Sequence, residues 1–253
     1  MSGENTPFPC SQHLKRRVQP IHKLSTRLGH RRAKPTAASW RNQVAWPLLT
    51  FGPGSFVFDL AKRMSNDELL SILNGIWQRL AKAVDDRPDP WRLPVLCTQG
   101  LNGPSARTMV MRSADAAGRV LTAQTDIRST KIPGFRKDPR VAWLFFDPTK
   151  QEQVRATGRA VIHHDDDITL RAWPSMPETN QLNYATAHEP GATIDAPALG
   201  QATSDDLAEA YKNFAVIRCE LTAIDWLQLG TTAHRRAQFS WNGAEWLATW
   251  AVP

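Results

Sequence analysis

The chain has 253 residues, 42% of them apolar, and a formal net charge of +7. That length supplies one good-sized core or one domain with extensions, and no apolar run reaches the roughly eighteen residues of a membrane span. The charge is uneven: residues 1–63 carry eleven Lys or Arg against two acids, Glu4 and Asp59, a net +9, whereas 64–253 carry twenty against twenty-two, a net −2, so nucleic-acid binding by the folded part loses its electrostatic support.

Segment 11–46 is basic, Pro-interrupted and without sustained helix or strand period. It reads as a disordered basic tail, as an Arg-rich targeting peptide, or as sequence outside the native product. The third reading is preferred, because Met64 is followed by Ser65-Asn66-Asp67-Glu68, a capping box ahead of an apolar run. The expected division is therefore a basic extension over 1–63 and one domain over 64–253.

Leu69, Leu70, Leu73, Ile76, Trp77, Leu80 and Val84 recur at helical spacing and predict a helix over 66–84. Strand-like pieces follow at 93–98, at 106–112, and at 119–124 after a turn over 113–118. A helix is expected over 128–137. The apolar run 141–146 has strand length and the composition of a strand buried on both faces. Residues 152–163 form a long strand, with a bulge expected at Gly158. Helical pieces are expected near 165–173, 177–187 and 204–213, the last capped by Thr203 or Ser204. Strands return over 214–229, 233–241 and 245–252, the last two joined across Asn242-Gly243. This order predicts a mainly β fold with flanking helices, a closed or half-closed antiparallel barrel.

The three cysteines, Cys10, Cys97 and Cys219, are odd in number and widely spaced, which argues against a disulfide framework or zinc knuckle and fits a reducing, cytoplasmic setting. The ten Trp are assigned mostly to packing. The run His163-His164-Asp165-Asp166-Asp167 is read as a solvated turn, because consecutive residues point apart and few could share an ion; no metal site is expected. No Gly-x-Ser-x-Gly elbow or Gly-x-Gly-x-x-Gly loop occurs.

Chemistry concentrates between Arg107 and Gln153. Along a regular strand, Arg107 and Arg112 would point to opposite faces and could serve two different groups. Residues 122–131, rich in hydroxyls and ending at Lys131, close a strand and open a helix, a reasonable phosphate cradle beside ordinary solvated charges as the plainer reading. Gln153 offers an amide that both donates and accepts.

The ordered set Arg107-x-x-x-x-Arg112, Gly118, Thr122-Ala123-Gln124, Ser129-x-Lys131, Asp138-Pro139-Arg140-Val141 and Gln153-Val154-Arg155 with Gly158 resembles the pyridoxamine 5'-phosphate oxidase family, in its broad FMN-binding branch. The resemblance is strong over 107–160 and weaker from 92 to the C-terminus. It implies an antiparallel split β-barrel that binds FMN. Arg107 and Lys131 would neutralise the phosphate, with Ser129 and Thr130 adding hydrogen bonds. Val110, Met111 and Arg112 would run along the ring, Arg112 placing a cation there. Thr122 and Ala123 would line the ribityl side, and Gln153 would bond the ring's polar edge. Phe214 would replace the Trp beside the flavin, and Arg236 is what remains of the family's C-terminal Arg-x-His-x-Arg signature. At the substrate-phosphate positions an ungapped match puts Ala172, Met176 and Asn180, none of them a cation, which points away from the vitamin B6 enzyme. The resemblance further implies a homodimer with FMN at the subunit interface and an FMN-dependent oxidoreductase acting on an unidentified small donor. The alternative is a flavin-binding protein without turnover. No general acid or base is assigned.

Overall fold

The computed structural model describes the backbone of residues 55–253 and the side chains of 64–253. The expectations for 1–63, Cys10 included, lie outside the described residues apart from the helical backbone of 55–63.

Helix α1 spans Ser55–Ala83 and buries Leu69, Leu73, Ile76, Trp77 and Leu80, the predicted apolar stripe. It starts well before residue 66. No Gly or Pro interrupts 55–64, so the helix runs through the expected cap, and Ser65 Oγ instead accepts a hydrogen bond from Trp250 Nε1 at 2.9 Å. Past α1 the chain forms β1 (Val95–Gly100), β2 (Gly103–Thr108), β3 (Met111–Asp115), β4 (Val120–Asp126), α2 (Lys131–Lys137), β5 (Arg140–Asp147) and β6 (Glu152–His163). An excursion carries α3 (Asp167–Ala172), a 3-10 turn at Trp173–Ser175, α4 (Glu178–Gln181) and α5 (Leu207–Tyr211). Then β7 (Phe214–Gln228), β8 (Arg235–Trp241) and β9 (Trp246–Ala251) complete the sheet. Helix α5 is capped by Asp206, which accepts from Ala208 and Glu209, rather than by Thr203 or Ser204.

Among the described residues the sheet has nine strands, in the order β2-β1-β5-β6-β7-β4-β3, with β8 added to β7 and β9 to β8. Every pairing is antiparallel. The two ends of the main order, β2 and β3, are consecutive in the chain and separated only by Met109 and Val110. That corner, held by Met109 N–H donating to Pro94 O at 2.9 Å, carries the chain from one edge of the sheet to the other. The architecture is the expected split barrel.

The corner corrects the reading of 106–112 as one strand. Arg107 lies on β2 and Arg112 on β3, so strand alternation does not relate them. The missed element is the β1–β2 hairpin, whose Gln99–Pro104 stretch, with two Gly and a Pro, looks like a loop but stays in register from Val95↔Thr108 to Gly100↔Gly103.

Strand β5 alternates rather than being buried on both faces. Val141, Trp143 and Phe145 fill the barrel, while Ala142 and Leu144 are half-buried and Phe146 is 45% exposed. The irregularity at Gly158 is present: Thr157 pairs with Ala223 and Gly158 with Leu221, so the extra residue is Thr222 on β7. A Cβ at Gly158 would lie 2.0 Å from Glu220 O, so only glycine fits this approach. A second, smaller apolar cluster under the excursion joins Trp173, Tyr184 and Tyr211 to the fully buried Phe214.

Candidate functional site

Strand β4 ends at Thr125 and Asp126, and a tight turn leads through Ser129 and Thr130 into α2. Asp126 shapes the turn by accepting from Arg128 N–H at 2.8 Å. Lys131 folds back over it: its Nζ donates to Thr125 Oγ1 at 2.8 Å and Ser129 Oγ at 2.5 Å. Barrel closure brings Arg107 to the same place from β2. Its guanidinium donates to Leu96 O at 3.1 Å, Thr98 Oγ1 at 2.8 Å and Ser105 Oγ at 2.6 Å. Burial first, and then the Arg107 charge, hold the Lys131 ammonium below its usual pKa, with Asp126 opposing. Burial likewise pulls Arg107 below the usual arginine value. Two desolvated cations whose hydrogen bonds go to neutral oxygens form a place where a dianion would be stabilised by both.

A cleft of about 500 Å3 opens over β3, β4 and β7. Its sheet side is Arg112, Ser113, Thr122, Gln124, Val216 and Arg218, and α3 and the following turn supply Arg171 and Ser175. Register explains the sheet side: Thr122 pairs with both Ser113 and Arg218, and Gln124 pairs with Val216. Three guanidiniums line the cleft without a carboxylate among its lining residues. Arg112 Nε is a buried donor and Gln124 Oε1 a buried acceptor, each without a partner among the described residues. Burial also lowers the Arg112 pKa, with the Tyr184 phenol opposing and Arg92 reinforcing. Tyr184, in the aromatic cluster behind, is pushed up to about 12 by burial and is a neutral phenol at physiological pH.

The expected site residues divide into groups. Arg107, Ser129 and Lys131 come together, with Thr130 exposed on the rim. Arg112 and Thr122 line the cleft, Thr122 bonded to Ser113 Oγ at 2.6 Å. Met111 and Ala123 point into the core, fully buried, and have only backbone to offer; Val110 sits at the β2–β3 corner. Phe214 is enclosed by Trp173, Tyr184 and Tyr211 and does not line the cleft. Gln153 and Arg236 both pair with Leu227, far along β7 from Phe214, the partner of Asp126. Those thirteen positions span roughly 40 Å of strand. From the Arg107 side the rows are closer, since Arg107 pairs with Leu96, Leu96 with Trp143 and Trp143 with Ala156, three residues from Gln153; neither Gln153 nor Arg236 lines the cleft, and Arg236 bonds Asp225 at 2.8 Å.

Arg171, Ser175 and Arg218 escaped the sequence reading, whereas Gln124 and Thr125 lay within its 122–131 stretch without a role of their own. Arg171 falls in the helical piece expected near 165–173 and Ser175 just beyond it, in the 3-10 turn that follows α3. The ungapped match to Ala172 and Met176 fell one residue beyond each. Of His163–Asp167, His163 Nδ1 and Asp166 Oδ2 lie 2.7 Å apart, and Asp166 caps α3.

Residues 76–164 match the protein family described as pyridoxamine 5'-phosphate oxidase, FMN-binding domain. No curated protein matches the chain. Among solved structures, a pyridoxamine 5'-phosphate oxidase-related, FMN binding protein of Nostoc punctiforme is similar at 21% identity and TM-score 0.59, over 71% of this chain and 96% of its own. PhzG of Burkholderia lata, in complex with tetrahydrophenazine-1-carboxylic acid, is similar at 20% identity and TM-score 0.57, over 83% of this chain and 98% of its own. These likenesses concern the fold.

The residues present suit an FMN. The phosphate dianion has the Arg107–Lys131 pair and the Ser129 and Thr125 hydroxyls, and the cleft holds a buried donor, Arg112 Nε, and a buried acceptor, Gln124 Oε1, of the kinds a flavin ring edge takes. No helix among the described residues is long and apolar enough to cross a membrane. Residues 76–164 thus match the FMN-binding domain of the pyridoxamine 5'-phosphate oxidase family, and the fold of the chain is that of the related FMN-binding split barrels.

Proposed function

We propose that the protein is an FMN-dependent oxidoreductase acting on a small anionic donor, working as a cytoplasmic homodimer. The observation that carries this reading is a cleft lined by Arg112, Arg171 and Arg218 with no carboxylate among its lining residues, in a chain that also holds the two-cation cradle. FMN, when bound, supplies a two-electron acceptor. Arg107 and Lys131 hold the phosphate and fix the flavin's position. Arg112 sets a cation in the cleft, which would favour the anionic reduced ring there. Arg171 and Arg218, with the Ser175 hydroxyl, orient the donor through its carboxylate or phosphate. PhzG holds a cyclic carboxylic acid, tetrahydrophenazine-1-carboxylic acid, in its complex; a carboxylate is one group the three guanidiniums suit.

Two observations support the homodimer. The outward face of β5 leaves Leu144 half-buried and Phe146 exposed, although its sequence is that of a strand covered on both sides. Gln153 and Arg236, which the resemblance places at the flavin, also do not line their own chain's cleft, in keeping with a site that a second copy completes. Unpaired Cys97 and Cys219 support the cytoplasm.

The test is spectroscopic. The purified protein should be yellow, and an anionic donor should bleach it under anaerobic conditions; pyridoxamine 5'-phosphate, aromatic carboxylic acids, NADH and NADPH are the first to mix. Arg171→Ala should leave flavin content unchanged and raise the donor's apparent Kd about 10- to 100-fold, the loss of one charge-assisted contact. Stable colour with every donor supports a flavin-binding protein without turnover. A colourless protein that ignores added FMN overturns both readings.

A further inference from the structure

We propose that residues 187–201 form a strap across the rim of the phosphate cradle, latched by Arg128, and that this latch slows departure of the FMN phosphate. The proposal rests on the reading of Arg107 and Lys131 as that cradle.

The segment leaves and returns through one neck. Thr186 and Ala202 form an isolated antiparallel bridge. Thr203 reinforces it twice, its N–H and Oγ1 donating to Ala185 O at 2.9 and 3.0 Å. Between the two sides of the neck the chain has only a 3-10 turn at Pro197–Gly200, and its residues are mostly exposed. A long loop with its ends held together and little structure of its own is an Ω-loop, a form common at functional sites and uncommon as a mere connector.

Arg128 ties the neck to the cradle. Its Nη1 donates to Thr186 O at 2.9 Å and its Nη2 to Thr186 Oγ1 at 3.2 Å. The same guanidinium grips Asp126, with Nε to Oδ1 at 3.1 Å and Nη2 to Oδ2 at 2.7 Å. Asp126 is buried and holds the turn that presents Ser129 and Lys131. All three guanidinium nitrogens therefore join the strap's neck to the cradle's turn. A loop with no role at the cradle would need no such tie.

The body of the strap reaches the rim. At Gly191 a Cβ would lie 3.5 Å from Thr130 Cγ2, and its φ of +94° is a conformation side chains resist. Thr130 stands between Ser129 and Lys131 and is still exposed, so the strap leans on the rim without sealing it. A phosphate held below must pass this edge to leave. Its bonds to Lys131 and Ser129 stiffen the turn to which Arg128 is tied, so occupancy and latching favour each other.

The experiment compares FMN and riboflavin, which lacks the phosphate, on the intact protein. In one variant an Asn-Gly pair replaces 187–201, a two-residue turn that the Thr186–Ala202 antiparallel bridge accepts. A second, Thr186→Val, removes one acceptor from Arg128. Dissociation is followed by recovery of free-flavin fluorescence after dilution. FMN should leave at least tenfold faster from the shortened variant and about two- to fivefold faster from Thr186→Val, with riboflavin rates unchanged within twofold. In the wild type, cleavage of the Ile194–Asp195 bond by an endoprotease that cuts before Asp should slow at least fivefold when FMN is bound and not when riboflavin is. Unchanged FMN release from Thr186→Val together with FMN-independent cleavage before Asp195 overturns the strap, even if the shortened variant fails to fold. A wild type that holds FMN no tighter than riboflavin overturns the cradle reading, and the strap with it.

Discussion

Lys131 is placed so that it lacks an anion. Its hydrogen bonds go to two hydroxyls, and its nearest strong electrostatic neighbour is another cation, Arg107. Replacing both with Ala removes two charge-assisted contacts to a phosphate, each contributing about 1.5–3 kcal/mol. The double variant should bind FMN at least 100-fold more weakly and riboflavin less than threefold more weakly, as read by fluorescence titration. Equal losses for both ligands would show that the phosphate lies elsewhere. At this scale the sequence was legible where one motif residue does one job: Arg107, Ser129 and Lys131 meet. It was not legible for Met111 and Ala123, whose neighbours in the motif face the cleft while they face the core. Only the register of β3 on β4 separates those two fates.

Among the elements, β6 and α1 are held by contacts that their own sequences do not announce. Gly158 passes against the backbone of β7 at the Thr222 irregularity. Gly158→Ala should cost about 2–4 kcal/mol by overpacking, a clear drop in the thermal midpoint, because the atom it meets is backbone and does not rotate away. Arg79 on α1 is a hub. It bonds Asp89 at 3.1 Å, Asp147 at 2.5 Å and Glu152 at 2.7 Å, lies 4.1 Å from the Trp91 ring, and so fastens the helix to the end of the barrel. Burial opposes the charged form of Asp147, but the Lys150 N–H, the Arg79 guanidinium and the Thr149 N–H outweigh it and hold its pKa below the usual carboxylate value. A depressed folded-state pKa adds stability above the unfolded value near 4, and that part is lost as pH falls through the folded one. Arg79→Met leaves buried carboxylates unpaired and should cost about 3–5 kcal/mol at pH 7. Its melting midpoint should then vary less between pH 7 and pH 3 than that of the wild type. An identical acid slope would place the titrating group elsewhere.

For the molecule as a whole, the outward sheet face is what a second copy would change. Phe146→Lys puts a charge on that face without touching the barrel interior. If the proposed homodimer forms through this face, sedimentation should show a shift from dimer to monomer, with weaker FMN retention if the second chain completes the site. A monomeric wild type that binds FMN fully would reject the shared site.

Most elements were legible in the sequence, because helix and strand periods and turn residues are local properties: α1's apolar stripe, β5 through β7, and the Asn242-Gly243 hairpin all carry their signals in a few consecutive residues. The Arg107–Gln153 motifs likewise sufficed for the family and its cofactor. Tertiary structure decided the rest. It split 106–112 between the two edges of the sheet and set Arg171 and Ser175 opposite Arg112. It also sent Gln153 and Arg236 to the far end of β7. These are long-range pairings, fixed by register and barrel closure across many residues, and no local pattern in the chain encodes which edge will meet which.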